Sequence, residues 1–240
     1  MAWADDSAGN SEVYLRRYDG AAWVELAGSA TGGGVSGTAT ASVRPSLALD
    51  PSGNPCVVWE ERVSAFNFEV YGRRFNGTTW VEFGAGSATG GGISMTPLAS
   101  TAPHLSASGD TYFLCWTDAS DPTGDDETEI YGLYFKLGWR EVGTRSASLG
   151  GISANGTPSM GAGCAFGLGG LVVSWQDFSG GNWEVFVRTL LLVNPADAPA
   201  EIAVGPGRGG GGMYRVFDDG TGGYAPLELR TIPWANYNAA

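Results

Sequence analysis

The sequence predicts an all-β protein of the β-propeller class, a full or partial ring of four-stranded antiparallel blades, and three observations lead there. A block of about 58 residues recurs along the chain. Its recurring marks are aromatic and lie on short strands, as in blade repeats. The 240 residues include 39 glycines and 12 prolines, a composition unsuited to helices, because a glycine inside a helix costs about 1 kcal/mol relative to alanine.

The repeat is read most clearly from Glu12-Val-Tyr-Leu-Arg-Arg-Tyr-Asp-Gly-Ala-Ala-Trp-Val-Glu25, which returns as Glu69-Val-Tyr-Gly-Arg-Arg-Phe-Asn-Gly-Thr-Thr-Trp-Val-Glu82. A worn third copy runs Glu129-Ile-Tyr-Gly-Leu-Tyr-Phe-Lys-Leu-Gly-Trp-Arg-Glu141, and a fourth begins at Glu184-Val-Phe-Val-Arg188 before departing. Trp3, Trp59, Trp116 and Trp175 keep the same register ahead of these glutamates, and Pro45, Pro103 and Pro158 each open an apolar stretch. Gly28-Ser-Ala-Thr-Gly-Gly-Gly34 matches Gly86-Ser-Ala-Thr-Gly-Gly-Gly92.

Within the second copy the pattern predicts strands over 45–50, 55–61, 68–76 and 79–84. Pro51-Ser-Gly-Asn-Pro55 and Asn76-Gly77 are the turns, with Asp19-Gly20 serving the first copy, since these residue types accept left-handed dihedrals. On the third strand alternation sets Val13, Leu15 and Arg17 on one face and Tyr14, Arg16 and Tyr18 on the other. Both faces carry apolar or aromatic groups, as a sheet packed between neighbours requires. An open β-solenoid or a sandwich is the alternative arrangement. The predicted domains are 1–189, holding a partial blade 1–42 and blades of about 43–101, 102–156 and 157–189, then 190–240 as a divergent closing blade or the start of another repeat type. The chain thus begins inside a repeat, which points to association as a homo-oligomer or with neighbouring domains of a longer chain.

Acidic residues number 25 against 13 basic ones, for a net charge of -12. Such a field repels phosphate backbones and anionic membrane surfaces, so neither nucleic acid nor membrane is an expected partner. No apolar run approaches the length of a membrane span, and no secretory leader is visible at Met1. Cys56, Cys115 and Cys164 show no metal or disulfide spacing and read as small buried hydrophobes. His104, the single histidine, reads as structural.

At the residues quoted above the chain resembles the tandem propeller repeats of large secreted bacterial proteins, over about residues 3–189. Arg17-Tyr-Asp-Gly-Ala-Ala-Trp23 also resembles the Trp-Asp-Gly-x-x-Trp hairpins of fucose-binding propeller lectins, and the turns resemble the Asp-box of sialidases. The sialidase arginine triad and tyrosine nucleophile have no matching positions here. The stretch from Glu201 to Gly220 resembles an FG-GAP-type repeat without its calcium loop. These resemblances imply a propeller fold, an extracellular or cell-surface location and a glycan or protein partner.

The glutamates that recur in every copy, Glu12, Glu69, Glu129 and Glu184, read as strand-start or inter-blade partners of arginine, because a residue present in every blade serves something every blade needs. Arg16, Trp23 and Glu25 recur as Arg73, Trp80 and Glu82. An aromatic face beside a guanidinium and a carboxylate suits a sugar, so these six are the candidate ligand residues, the alternative being that both tryptophans fill space between blades. The insertion Asp118-Ala-Ser-Asp-Pro-Thr-Gly-Asp-Asp-Glu-Thr-Glu129 breaks the repeat. Asp118, Asp121, Asp125 and Asp126 could gather oxygens around calcium, or could form a solvated acidic loop. The glycine-rich stretch 205–212 lacks the Gly-Lys-Ser/Thr and helix of a phosphate loop. No cofactor other than that calcium is expected. The expectation from sequence is therefore a non-catalytic extracellular binding or assembly module presenting propeller loops to a protein or glycan. A glycan-binding, lectin-like propeller is the alternative, and a sialidase-like glycoside hydrolase stands third.

Overall fold

The computed structural model describes residues 1–120, 127–142, 145–167, 170–193, 214–218, 224–226 and 232–233. The chain forms two compact units, residues 1–112 with 118–120 and residues 113–117 with 121–240. Among the described residues every regular element is a strand, and the all-β reading holds.

The first unit opens with β1 (Ala2–Asp5), β2 (Glu12–Leu15), β3 (Arg17–Tyr18) and β4 (Trp23–Val24), paired β1-β2 and β3-β4. The next copy is complete. β5 (Ser42–Leu49), β6 (Pro55–Arg62), β7 (Phe68–Phe75) and β8 (Trp80–Glu82) form a four-stranded antiparallel sheet in chain order. These limits lie within three residues of those expected from the sequence, because alternation and turn residues act locally. The central strand β6 is buried from Pro55 to Glu61 on both faces, as expected of a blade. β9 (Ser100–Ser108) follows.

The turns form by side-chain capture. Asp50 Oδ1 accepts the amides of Ser52 (2.8 Å) and Asn54 (2.7 Å), and Gly53 takes the left-handed φ of 77° that closes the loop. Asn76 Oδ1 accepts from the Thr78 and Thr79 amides, and Asp19 Oδ1 from those of Ala21 and Ala22. Only the glycine of each Asn-Gly or Asp-Gly pair is left-handed, so these are wider four-residue loops rather than two-residue turns. A carboxylate or amide oxygen that holds two amides removes the need for a second left-handed residue.

The second unit takes residues 113–117 from β10 (Thr111–Asp118). It continues through β11 (Glu129–Phe135), β12 (Trp139–Glu141), β13 (Ser159–Gly167), β14 (Gly170–Asp177) and β15 (Glu184–Val193). The third sheet keeps the order β9-β10-β11-β12. In the fourth, β13-β14-β15 are antiparallel, β15 then pairs in parallel with β16 (Tyr214–Asp218), which pairs with β17 (Tyr224–Pro226), and β18 (Ile232–Pro233) pairs antiparallel with β15 itself. The first strands share a register break, between Val43 and Ser46 in β5 and between Met160 and Gly163 in β13. There Arg44 (φ 49°), Ala102 (φ 51°) and Gly161 (φ 65°) are left-handed. Pro45 and Pro103 follow that residue directly, whereas Pro158 stands just before Ser159, so Pro158 is not their equivalent as the sequence suggested.

Each unit has its own core. In the first, Val13, Leu15, Val57, Trp59 and Tyr71 pack together; in the second, Ile130, Ile152, Leu171, Val173 and Trp175 do so. Cys56, Cys115 and Cys164 are buried and form no disulfide, and burial pushes the Cys56 thiol up to about 11.

Candidate functional site

The acidic residues that repeat turn out to be hydrogen-bond hubs. Ser36 Oγ donates to Glu12 and accepts the Val13 amide at 2.8 Å, so the serine ties the glycine-rich loop to the start of β2. Ser94 does the same for Glu69 and Val70, and Ser153 for Glu129 and Ile130. The partners are thus serine hydroxyls and loop amides such as those of Thr38, Thr96 and Gly156, not the arginines expected from sequence. Glu184 departs from the set by being exposed.

A second hub was not anticipated. The indole N–H of Trp59 donates to Glu61 two residues on, at 2.9 Å, and that of Trp175 to Asp177 at 3.0 Å. Ser42 and Ser159, each at the start of a first strand, donate to the same carboxylates, and Ser100 donates to Asp118. A Trp-x-acid spacing at Trp3/Asp5, Trp59/Glu61, Trp116/Asp118 and Trp175/Asp177 was the available signal. Its meaning needed the cross-strand serine.

The six candidate ligand residues are not brought together. Glu25 and Glu82 cap their own glycine-rich turns. Glu25 accepts from the Ala30 amide and Thr31 hydroxyl, and Glu82 from the amides of Gly86 (2.9 Å) and Ala88 and the Thr89 hydroxyl. Those donors, led by the Gly86 amide, hold the Glu82 carboxyl below its ordinary value. Arg73 and Trp80 point the other way, into the preceding copy: Arg73 Nη1 donates to Val35 O at 2.9 Å and Trp80 Nε1 to Leu26 O at 2.8 Å. Arg16 and Trp23, their counterparts in the first copy, are exposed. The recurrence thus reflects one structural task, and a sugar platform built from Arg, Trp and Glu is not what the geometry makes. Asp118 is buried, with its carboxylate taken by Ser100 Oγ and the Ser120 amide at 2.8 Å each. Asp121, Asp125 and Asp126 lie outside the described residues, as does the stretch 205–212.

The first unit instead offers a cleft lined by hydroxyls. One part, about 370 Å³, is bounded by Thr38, Thr40, Glu61, Arg62, Tyr71 and Thr89. An adjoining part of about 410 Å³ shares Thr40 and Arg62 and adds Asn10, Ala41, Ser64 and Ala65. Arg62 spends two donors on the hairpin carbonyls of Ser64 (3.2 Å) and Ala65 (3.1 Å), which leaves three of its five N–H groups. Phe66, the next residue of that hairpin, is 94% exposed. The position recurs in the first copy as a cleft of about 300 Å³ lined by Trp3, Asp5, Ser7, Tyr14, Thr31 and Gly32. There Trp3 and Tyr14 stack at 5.9 Å, and the Ser7 hydroxyl and amide hold the Asp5 carboxyl below its ordinary value. The hydroxyl protons of Thr38, Thr40, Tyr71 and Thr89 are given to Glu61, Gly90 O and Glu82, so what the cleft offers a polyol is the remaining Arg62 N–H groups, hydroxyl oxygens that can still accept, and an aromatic surface.

Two hub carboxyls are set for a pH effect. Burial pushes the carboxyls of Glu69 and Glu129 above their ordinary value, against the opposing Ser94 and Ser153 hydrogen bonds. A raised folded pKa means the folded state holds the proton more tightly than the unfolded one. The stability from these groups is therefore full below the ordinary carboxylate value of about 4.3 and is lost as pH rises through the folded values. Asn67 Oδ1 is a buried acceptor without a partner, and its amide group donates to Glu69 Oε1 at 3.2 Å. Once that amide turns, a protonated Glu69, or the amide brought by Glu69→Gln, can donate to it. Glu69→Gln is accordingly expected to gain on the wild type in melting temperature as pH rises from 4 to 7. A difference that is flat or runs the other way across that range would refute the assignment.

No family model matches the chain, and neither does any curated protein sequence. Among solved structures the chain is similar to a family 117 glycoside hydrolase from the marine bacterium Zobellia galactanivorans, at 13% identity and a TM-score of 0.44, covering 79% of this chain and 58% of that one. It is similar to an endo-arabinase from Bacteroides thetaiotaomicron at 15% identity and a TM-score of 0.43, covering 78% and 68% of the two chains. It is also similar to a fucose lectin from Kordia zhangzhouensis, solved with methyl-fucoside, at 13% identity and a TM-score of 0.37, covering 60% and 90%. The chain spans about three fifths of the length of the family 117 hydrolase and 66% of a family-43 one. Nothing in these comparisons matches the Asp-box or FG-GAP resemblance. Glycoside hydrolases stand where the sequence led us to expect a non-catalytic binding or assembly module, and with them the expectation that the chain is not an enzyme is withdrawn.

Proposed function

We propose that the chain is a carbohydrate-directed propeller protein that seats a neutral saccharide in the hydroxyl-lined cleft at Thr38–Ala41, Glu61–Ala65, Tyr71 and Thr89. The observation that carries this reading is the recurrence of the cleft, with tyrosine, a carboxylate and the Ala-Thr-Gly loop in the same places in two successive copies. Sugars offer hydroxyls to such groups and C–H faces to an exposed ring such as Phe66. A net charge of -12 and the carboxylates at the cleft disfavour uronate or sulfated chains. Arabinanases, family 43 and 117 glycoside hydrolases and a fucose lectin are among the structures this chain is similar to.

The test is a glycan array on the purified chain, paired with an assay for new reducing ends on each polysaccharide retained. Neutral oligosaccharides are expected to bind, and the reducing-end assay reports whether binding is followed by cleavage. Ala65→Trp, which fills the cleft from an exposed position without touching a hydrogen-bond hub, should lower affinity at least tenfold, and Phe66→Ala should weaken it. An array with no neutral ligand, or an Ala65→Trp chain that binds unchanged, would overturn the reading.

A further inference from the structure

The pair Arg73 and Trp80 joins the second copy to the first through two main-chain carbonyls, Val35 O and Leu26 O, at the two ends of the loop that holds Gly28-Ser-Ala-Thr-Gly-Gly-Gly34. The second unit builds the same joint independently: Arg188 donates to Ile152 O and to Ser153 O. By register Arg16, Arg73 and Arg188 are one position, fifth from Glu12, Glu69 and Glu184, and Ile152 corresponds to Val35. This is a blade-to-blade joint written into the repeat.

The first copy carries the arginine half of that joint fully formed and uncovered. Tyr18 and Trp23 pack ring to ring at 5.6 Å and 52°, the same distance and tilt as Phe75 and Trp80. Phe75 is 8% exposed, whereas Tyr18 is 54% and Trp23 50% exposed. The covering element in the second copy is the 26–37 loop of the copy before it. Arg16, at the position of Arg73, is exposed as well. In β1 the acid of the Trp-x-acid pair, Asp5, accepts from Ser7, where Glu61, Asp118 and Asp177 accept from a first-strand serine. Ring pair and arginine therefore await that loop, and Asp5 awaits the first-strand serine that follows the loop in sequence; one repeat period supplies both.

We propose that the Arg16–Tyr18–Trp23 face is a docking surface for one more repeat of this chain's own type. That repeat, placed one period ahead, offers the carbonyls that flank a Gly-Ser-Ala-Thr-Gly-Gly-Gly loop. The occupant follows from continuity with the joint already made twice. In a second copy, Val35 O, Leu26 O, Ile152 O and Ser153 O already serve Arg73, Trp80 and Arg188; the loop at Gly86–Gly92, which is followed by Leu133 at the arginine position, is the one a second copy could offer, and that is the competing outcome of the test.

The register supplies the experiment. Because Ala2-Trp3 corresponds to Val58-Trp59, residues 1–57 can be fused directly ahead of Ala2 in the full chain, adding one period with its own 26–37 loop. Trp23→Phe in the added segment keeps the signals distinct. In a 5-fluorotryptophan-labelled protein the resonance of the original Trp23, assigned by its loss in a Trp23→Phe variant, should lose its solvent isotope shift in the fusion. The melting temperature should rise, and Arg16→Ala with Trp23→Ala at the original positions should remove at least half of that rise. As a check independent of the fusion's folding, Arg73→Ala with Trp80→Ala in the unfused chain should make the Phe75 ring solvent-accessible. A Trp23 signal that stays solvent-shifted in the fusion, or a Phe75 that stays covered, would overturn the proposal. So would burial of Trp23 in the unfused chain by self-association at rising concentration, which would make the occupant a second copy.

Discussion

Trp59→Ala is expected to be the most damaging single substitution in the first unit. The side chain is fully buried in the core with Val57 and Tyr71, and deleting a buried indole typically costs about 3–5 kcal/mol in lost burial and cavity. A second loss adds to it. Glu61 is 2% exposed and accepts the Trp59 indole N–H, so removing that donor weakens the compensation of a buried carboxylate, at about 1–3 kcal/mol. Against a typical stability of about 5–15 kcal/mol this leaves little. Urea unfolding of the Trp59→Ala and Trp59→Phe chains measures both parts. The phenylalanine variant keeps most of the ring volume but not the donor, and should fall between wild type and alanine. A loss below about 1.5 kcal/mol for Trp59→Ala would mean that the hub and core do not support each other as argued.

Gly92→Ala is expected to follow closely, at about 2–5 kcal/mol. Gly92 has φ 70°, a conformation in which a Cβ costs about 1–2 kcal/mol by itself. That Cβ would also lie 2.5 Å from Val70 O and 2.7 Å from Tyr71 Cε1. Retreat is blocked, because the Ile93 amide holds the loop to Val70 O at 2.6 Å and Tyr71 Oη donates to Gly90 O. Overpacking of this kind adds about 1–3 kcal/mol. Gly86→Ala is the control: its φ is 80° but nothing lies within 4 Å of the added atom, so only the backbone part, about 1–2 kcal/mol, should be lost. Equal losses for the two variants would show that the close approach to β7 contributes nothing. The same approach recurs at Gly34 against Val13 O and at Gly151 against Ile130 O, which explains why a glycine closes each run.

The period, the strand limits and the turns were legible in the sequence because each rests on neighbours along the chain. Alternation on β2 and β7, and Asp50 or Asn76 capturing amides two to four residues on, need no distant partner. The site was not legible for the opposite reason. Glu25 and Glu82 look like ligands beside a tryptophan and an arginine until the loop folds back onto their carboxylates. The Trp-x-acid pairs look like a tryptophan marker and an unrelated acid until a serine from a neighbouring strand completes them. The cleft residues Thr38, Thr40, Glu61 and Thr89 come from segments up to 51 positions apart, and no local pattern links them.

Sequence alone determined that this is a repeated four-stranded β protein, since backbone alternation and turn chemistry are set within each copy. Tertiary structure alone decided what each repeated side chain is for. Arg16 with Trp23 and Arg73 with Trp80 stand at the same positions of the repeat, yet the second pair is bonded into a joint and the first lies bare. The physical reason is that a side chain's hydrogen-bond partner and its shelter from water are properties of the adjoining sheet, which a repeat does not itself contain.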